Sequence, residues 1–453
     1  MKKLTALVAA LLLGGCTMIP TYERPAAPVP NEFPYGPATA GTPPAQLAWQ
    51  EFFADPQLRQ LISAALANNR DLRVAVLNAE QARTQVAVRR ADLLPTVNAA
   101  ASYTRQPAEP EKLYTAGLAV SAWELDLWGR IRSLTAAAGA QYLASEEGRK
   151  AAQITLIASV ANTWLALVAD EELVAITEEA VRTRSESLRL TQLRFDNGVS
   201  SEIDFRQAET LYETARATLA QLRRQRAVDL DALALLLGQP VPANLRPPAG
   251  TASVLLPDVP AGLPSEVLVA RPDVRQAEQQ LIAANANIGA ARAAFFPRIA
   301  LTGSAGSASS SLSGLFKGGS WGWTFAPQVA MAIFDSGRNS ANLESAKIQR
   351  DIAIAQYEKA IQSAFKEVAD ALAGRANFGE QVDAQRRAVA ADTVRLRLAQ
   401  LRYDNGVASY LDLLDAQRTL FADQQVLVQA RVAQLQNQVQ LYRALGGGWQ
   451  QTP

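Results

Sequence analysis

The amino-acid sequence predicts an α+β membrane protein in which the wall of a β-barrel is continued by very long helices, one architecture written twice. Three observations predict this. The phrase LRFDNGVSS at 193–201 returns as LRYDNGVAS at 401–409 with seven of nine residues identical, so the chain carries an internal repeat. Four segments alternate apolar with small or polar residues at period two. Two stretches, Ile131 to Arg194 and Arg338 to Arg402, run 64 and 65 residues without a proline.

The chain opens with Met1-Lys2-Lys3, an apolar run from Leu4 to Leu13, and small residues leading to Cys16. This is the layout of a signal peptide, with an apolar core too short for a stable span. Beyond it, the stretch at 17–46 is rich in proline and is expected to run extended. No later segment offers an uninterrupted apolar run of about 18 residues. The nearest, Ile154 to Ala169, contains Asn162 and is bounded by Gln153 and Asp170, so it reads as the buried part of a longer helix.

The repeat has a fine structure. Asn197 and Asn405, Gly238 and Gly446, and Gly129 and Gly337 all lie 208 residues apart, whereas Pro95 and Pro297 lie 202 apart. Six extra residues therefore fall between Pro297 and Gly337. Each half starts with a helical block, Asp71 to Asp92 or Asp273 to Ala294, that stops before a proline. The alternating segments follow. Val97, Ala99, Ala101 and Tyr103 share a face in the first, and Tyr114, Ala116, Leu118, Val120 and Ala122 in the second. Ile299 and Leu301, then Trp321, Trp323, Phe325, Val329, Met331 and Ile333, repeat the pattern in the other half. Four strands of about ten residues suit a membrane barrel wall, with Tyr103, Tyr114, Trp123, Trp321 and Trp323 as interfacial aromatics. A small soluble sheet packed on the helices has the same alternation.

Each long helix could reach roughly 95 Å if unbroken. Each then meets a DNG turn and reverses into a second helix, Ser201 to Leu237 or Ser409 to Leu445. Asn197-Gly198 and Asn405-Gly406 are expected to supply the positive φ that such a turn needs. Ser201 with Asp204, and Ser409 with Asp412, have the spacing of a capping box. In the last helix Leu414, Phe421, Val428, Leu435 and Tyr442 recur at sevens beside Leu413, Leu420 and Leu427, a coiled-coil seam. Four strands cannot close a membrane barrel; two chains would give eight strands and a filled interior, three would give twelve and a lumen.

Composition excludes much else. Lys plus Arg is 44 against 43 for Asp plus Glu, so no charge excess marks a nucleic-acid partner. With no histidine and one cysteine, zinc sites and His-dependent nucleophiles are absent, and no acid, base and nucleophile set converges on an enzyme. Three methionines offer no soft-metal relay.

CTMIPTYERP at 16–25, WQEFFADPQLRQLI at 49–62, RPDVRQAE at 271–278, NANIGAARAAFFPRIALTG at 285–303, LRYDNGVASYLDLLDAQ at 401–417 and LYRALGGGW at 441–449 together resemble the outer-membrane factors of the TolC superfamily, and most closely the OprM-like, NodT-type lipoprotein subgroup. The resemblance covers essentially the whole mature chain. It implies a homotrimeric 12-stranded β-barrel in the outer membrane of a Gram-negative bacterium, four strands per chain, continued by an α-helical barrel across the periplasm with an equatorial domain. It implies the exit duct of a tripartite efflux pump, with a periplasmic adaptor protein and an inner-membrane transporter of the resistance-nodulation-division (RND) type as partners, and no nucleic acid. Multidrug cargo is expected; a duct for heavy-metal or other specialised export, and a coiled-coil lipoprotein without a pore, are the alternatives.

The same resemblance divides the chain into a signal peptide (1–15), a lipidated extended segment (16–50), an equatorial helix (51–70), helical barrel (71–94), β-hairpin (95–128) and helix pair (129–237) of the first repeat, an equatorial linker (238–270), the helical barrel (271–296), hairpin (297–336) and helix pair (337–445) of the second, and a tail (446–453). Cys16 stands at the acylated position of a lipobox, so N-acyl and S-diacylglycerol chains are expected there and no other cofactor. Thr17 in place of aspartate points to the outer membrane. Asp412 and Asp415 fall in the constriction of a closed periplasmic tip, where six carboxylates are expected to take up protons or cations. Tyr403 and Asp204 match positions that link neighbouring helix pairs there. Ala408 stands where TolC itself has a linking arginine, so some other contact must hold this tip shut.

Overall fold

The computed structural model describes residues 17–35, 47–105, 112–248, 250–257 and 265–449; the signal peptide and Cys16 lie outside the described residues. The chain divides into two compact units. The first comprises Met1–Ala27, Val76–Gly148 and Asp273–Ala360, the second Pro28–Ala75, Arg149–Pro272 and Ile361–Pro453.

The elements, in order, are α1 (Trp49–Phe52), α2 (Pro56–Asn68), α3 (Arg70–Ala91), β1 (Val97–Arg105), β2 (Lys112–Glu124), α4 (Arg130–Asp196), α5 (Glu202–Leu237), α6 (Pro272–Ala293), β3 (Arg298–Ser309), β4 (Trp321–Ala330), α7 (Arg338–Asp404) and α8 (Tyr410–Ala444). Both long helices, α4 and α7, run 67 residues. The single helix expected over 51–70 is two. Asp55 accepts from the backbone N–H groups of Gln57 and Leu58, and Pro56 takes the first helical position, so a new helix starts there.

In the first unit the four strands form one antiparallel sheet in the order β1-β2-β3-β4. Register puts Val97 opposite Val120, Tyr103 opposite Tyr114, Gly303 opposite Phe325 and Ala305 opposite Trp323, so one face is apolar across all four strands. On the other face Ser102 meets Thr115 and Ser304 meets Thr324, each hydroxyl pair at 2.7 Å. Gly117 faces Gly306 across β2 and β3. A Cβ at either would strike the other's backbone, so glycine is required for that close approach. Every residue of β1 and β4 is exposed, with Trp321 and Trp323 each 68% exposed. A soluble sheet packed on helices would bury one face; this sheet buries neither.

The second unit holds the main core. Phe52, Phe53, Ile62, Val160, Trp164 and Val168 are fully buried. Tyr442 stacks flat on Phe52 at 4.0 Å and donates its hydroxyl to the Leu47 carbonyl at 2.7 Å. Trp164 donates its indole N–H to Asp55 at 3.0 Å. The apolar stretch of α4, long enough by composition to cross a membrane, is thus largely spent on the core. Of the seven-residue seam in α8, Leu414, Val428, Leu435 and Tyr442 are buried, while half-buried Phe421 lies under the Arg184 guanidinium at 4.7 Å.

Candidate gate at the two helix reversals

Both reversals lie in the second unit and are built alike. At the end of α4, Val199 N–H donates to the Arg194 carbonyl at 2.8 Å and Gly198 N–H to that of Phe195 at 2.9 Å. At the end of α7, Val407 reaches Arg402 and Gly406 reaches Tyr403, both at 2.9 Å. These paired bonds form a Schellman motif, which needs a left-handed residue after the helix. Gly198 (φ 71°) and Gly406 (φ 72°) supply it. The asparagines do not share that role: Asn197 and Asn405 keep negative φ and donate their side-chain amides to the Leu193 and Leu401 carbonyls at 2.6 and 2.7 Å. An asparagine one residue earlier closes the last helical turn and leaves the strained conformation to glycine.

The following helices start on capping boxes. Ser201 Oγ accepts from Asp204 N–H at 3.1 Å while the Asp204 carboxylate accepts from Ser201 N–H at 3.3 Å. Ser409 and Asp412 do the same at 3.2 and 3.1 Å. Asp204 also accepts from the hydroxyls of Ser200 and Ser201. Asp412 is exposed, and its hydrogen bonds stay within its own cap.

Asp415 is not bare, and its partners are cations of its own chain. Arg395 of α7 donates to one of its oxygens at 2.6 Å and Arg418 of α8 to the other at 2.7 Å. Those two guanidiniums hold its carboxyl below the usual range, Arg395 first, so it stays ionised instead of taking up a proton. Its cation is internal to the chain, and the pair ties α8 to α7. Because the carboxylate is 39% exposed, the tie contributes less than about 1 kcal/mol.

Tyr403 packs on a small apolar cluster of Ala208, Tyr410, Leu413 and Leu414. Its hydroxyl accepts from Arg194 of α4, whose guanidinium also lies 5.3 Å from the ring centre. Burial, above all, raises the phenol pKa, with the Asp204 charge contributing and Arg194 opposing. Within one chain Tyr403 and Asp204 are near each other but spend their hydrogen bonds elsewhere. Ser187 of α4 and Tyr410 of α8 meet at 2.8 Å, which ties α4 to α8 as well as to α7. Arg194, Arg395, Arg418, Ser187 and Tyr410 carry no sequence signal, because each partner lies 20 or more residues away or in a common i, i+3 pair. A groove of about 550 Å³ runs between α5 and α8 here, lined by Ile203, Leu211, Leu411 and Leu414 together with Arg206 and Arg418.

The arrangement can hold or release helix ends; it brings no nucleophile or base together. The sequence matches the outer membrane efflux protein family over residues 61–239 and 263–447. It is 49% identical to the toluene efflux pump outer membrane protein TtgC of Pseudomonas putida over 98% of this chain and 95% of that one. The antibiotic efflux pump outer membrane protein ArpC of the same species is similar to the same degree. Among solved structures, the open state of the Neisseria gonorrhoeae MtrE outer membrane channel covers 96% of this chain and 99% of its own at 41% identity, with a TM-score of 0.89. With long helices, one four-stranded sheet and this likeness along its length, the chain belongs to the outer membrane efflux protein family, as its resemblance to TolC implies, and it is a transport protein of the outer membrane and not an enzyme.

Proposed function

We propose that three copies of this chain close a twelve-stranded barrel in the outer membrane and form the exit duct of a tripartite efflux pump, fed by a periplasmic adaptor and an RND-type inner-membrane transporter. The observation that carries the trimer is the open sheet. It has two edges, β1 and β4, and an exposed apolar face, so it needs further strands to satisfy both backbone and lipid. Twelve strands leave a water-filled lumen. Apolar solvents and antibiotics, the cargoes for which TtgC and ArpC are named, are the cargo class this likeness supports. Cys16 would carry the N-acyl and S-diacylglycerol chains that hold the N-terminus at the membrane.

The two reversals form the closed entrance in this reading. Asp412 faces the narrow axis as a carboxylate that spends its hydrogen bonds on its own cap, whereas Asp415 acts through Arg395 as a helix tie. Asp204 and Tyr403 join neighbouring pairs, and the Arg194–Tyr403 and Ser187–Tyr410 contacts do the holding that an arginine at position 408 would do. Planar bilayers test this directly. The purified protein should conduct, and Asp412→Ala should raise single-channel conductance and weaken block by polyvalent cations, more than Asp415→Ala does. A matched change at half-exposed Glu209, whose partner is Arg206 of the same helix, should alter neither. Absence of any conductance defeats the duct; an Asp412→Ala channel with unchanged conductance and block defeats the gate.

A further inference from the structure

The apolar face of the sheet changes character in a fixed order along β1 and β2. Register opposes Val97 to Val120 at the helix-bearing end, then come rows of alanine and leucine, then Tyr103 opposite Tyr114, and last Arg105 opposite Lys112. The tyrosine rings lie 4.9 Å apart. Trp321 and Trp323 of β4 stand toward the same end of the same face. Aliphatic, aromatic and cationic rows in that order follow the profile of one bilayer leaflet, from hydrocarbon through interface to headgroup. The cations stand out because charge is scarce here: only four charged residues lie on the four strands. Glu124 and Arg298 are on the opposite face at the helix-bearing end and bind each other at 2.6 Å. Arg105 and Lys112 are exposed, and no carboxylate among the described residues pairs with either. Like charges directly opposed across two strands destabilise a sheet, so this row calls for an anion from outside the chain.

The face decides where that anion comes from. In a closed barrel the serine and threonine rows line the lumen and the apolar face meets lipid, so cargo in the lumen does not reach Arg105 and Lys112. A guanidinium fork beside an ammonium offers eight N–H donors in all, a set that suits the several oxygens of a phosphate. We propose that Arg105 and Lys112 bind the phosphate of an outer-leaflet glycolipid, whose acyl chains lie against the Tyr103–Tyr114 row and the aliphatic rows below it. The site rests on the proposal that the sheet spans the outer membrane with the turn between β3 and β4 outside. The bound phosphate offsets the repulsion within the row and fixes the height of the barrel at the exterior surface.

The test uses the full-length protein purified in a non-ionic detergent and offered doubly phosphorylated lipid A, or its dephosphorylated form with the same acyl chains, with retention read by native mass spectrometry. Wild type should retain the phosphorylated lipid in preference to the other. Arg105→Gln with Lys112→Gln should weaken that retention roughly tenfold or more, the loss of a charge-assisted hydrogen bond. Arg298→Gln removes one positive charge from the opposite face and should leave retention unchanged. In lipid-free detergent the double variant should melt no lower than wild type, since it relieves the like-charge row. Equal retention of the two lipids by wild type, or equal retention of the phosphorylated lipid by wild type and the double variant, overturns the site. A loss as large in Arg298→Gln overturns it too, because attraction to overall charge then suffices. Loss of retention that comes only with a lower melting temperature reassigns the two residues to folding and overturns the site as well. Conductance recorded on the same preparations separates this proposal from the one beneath it: a conducting protein without phosphate preference defeats the headgroup site alone.

Discussion

Asp170 shows how much a single residue can depend on the fold. In sequence it merely ends an apolar stretch of α4. In the structure it is only 6% exposed and its carboxyl faces that of Asp229 on α5. Burial, then the shared hydrogen bond with Asp229, then the Glu171 charge push it up to about 7, with Arg226 opposing. Arg226 is itself engaged by Glu171 at 2.5 Å. Folding therefore favours the protonated acid. Since the folded pKa exceeds the unfolded value of about 4, the stabilisation is complete below pH about 4 and is lost as pH rises through 7. Wild-type protein should melt lower at pH 8 than at pH 5, and Asp170→Asn should flatten that difference. A variant that retains the whole pH dependence would place the titration elsewhere. The same scale explains why the partners of Asp415 are not legible in the sequence: its arginines sit three and twenty residues away, and the first is indistinguishable in sequence from an ordinary surface pair.

At the scale of elements, the reversals and the N-terminal segment behave differently. The DNG turns are local chemistry, a Schellman motif followed by a capping box, so nine residues specify them. The extended segment after Cys16 has no local signature of where it docks. In the first unit it lies along α6: Asn285 donates to the Pro20 carbonyl at 2.8 Å, and Glu278 accepts from the Tyr22 hydroxyl at 3.0 Å and from Arg24 at 2.6 Å. Gly289 makes the seat. A Cβ there would lie 2.7 Å from the Ile19 side chain and 2.7 Å from Ser133 Oγ. Gly289→Val should therefore unseat residues 18–24 at a cost of about 1–3 kcal/mol, and limited proteolysis should cut the segment several-fold faster than in wild type. Equal resistance in the two proteins would show that the contact does not hold the segment.

At the scale of the whole molecule, the sheet sets the topology. Its turn between β3 and β4 contains the extra residues of the second repeat, with Leu312 and Phe316 exposed and Ser320 tied back to the Leu315 carbonyl at 2.8 Å. Gly318 and Gly319 have open space around them. This turn lies at the end of the sheet away from α6 and α7, hence on the cell exterior if the helices are periplasmic. An epitope inserted between Gly318 and Gly319 should be stained by antibody on intact cells without loss of conductance. Staining that requires permeabilised cells would reverse the proposed orientation.

The sequence by itself determined the repeat, the four alternating strands, the two proline-free helices, the capping boxes and the glycine at each reversal, because each is written within a few consecutive residues or as a fixed period. Its charge-balanced, histidine-free composition excludes zinc and histidine-based chemistry, while the duct is read from the strands and the family resemblance. Tertiary structure alone decided which charges meet: Arg395 with Asp415, Arg194 with Tyr403, Arg298 with Glu124, and Asp170 with Asp229. Those partners sit on different helices and strands, and arginine and aspartate are too common on exposed helix faces for sequence to say which of them pair. Side-chain chemistry within a turn is encoded locally, whereas electrostatic pairing between elements exists only once packing has chosen their faces.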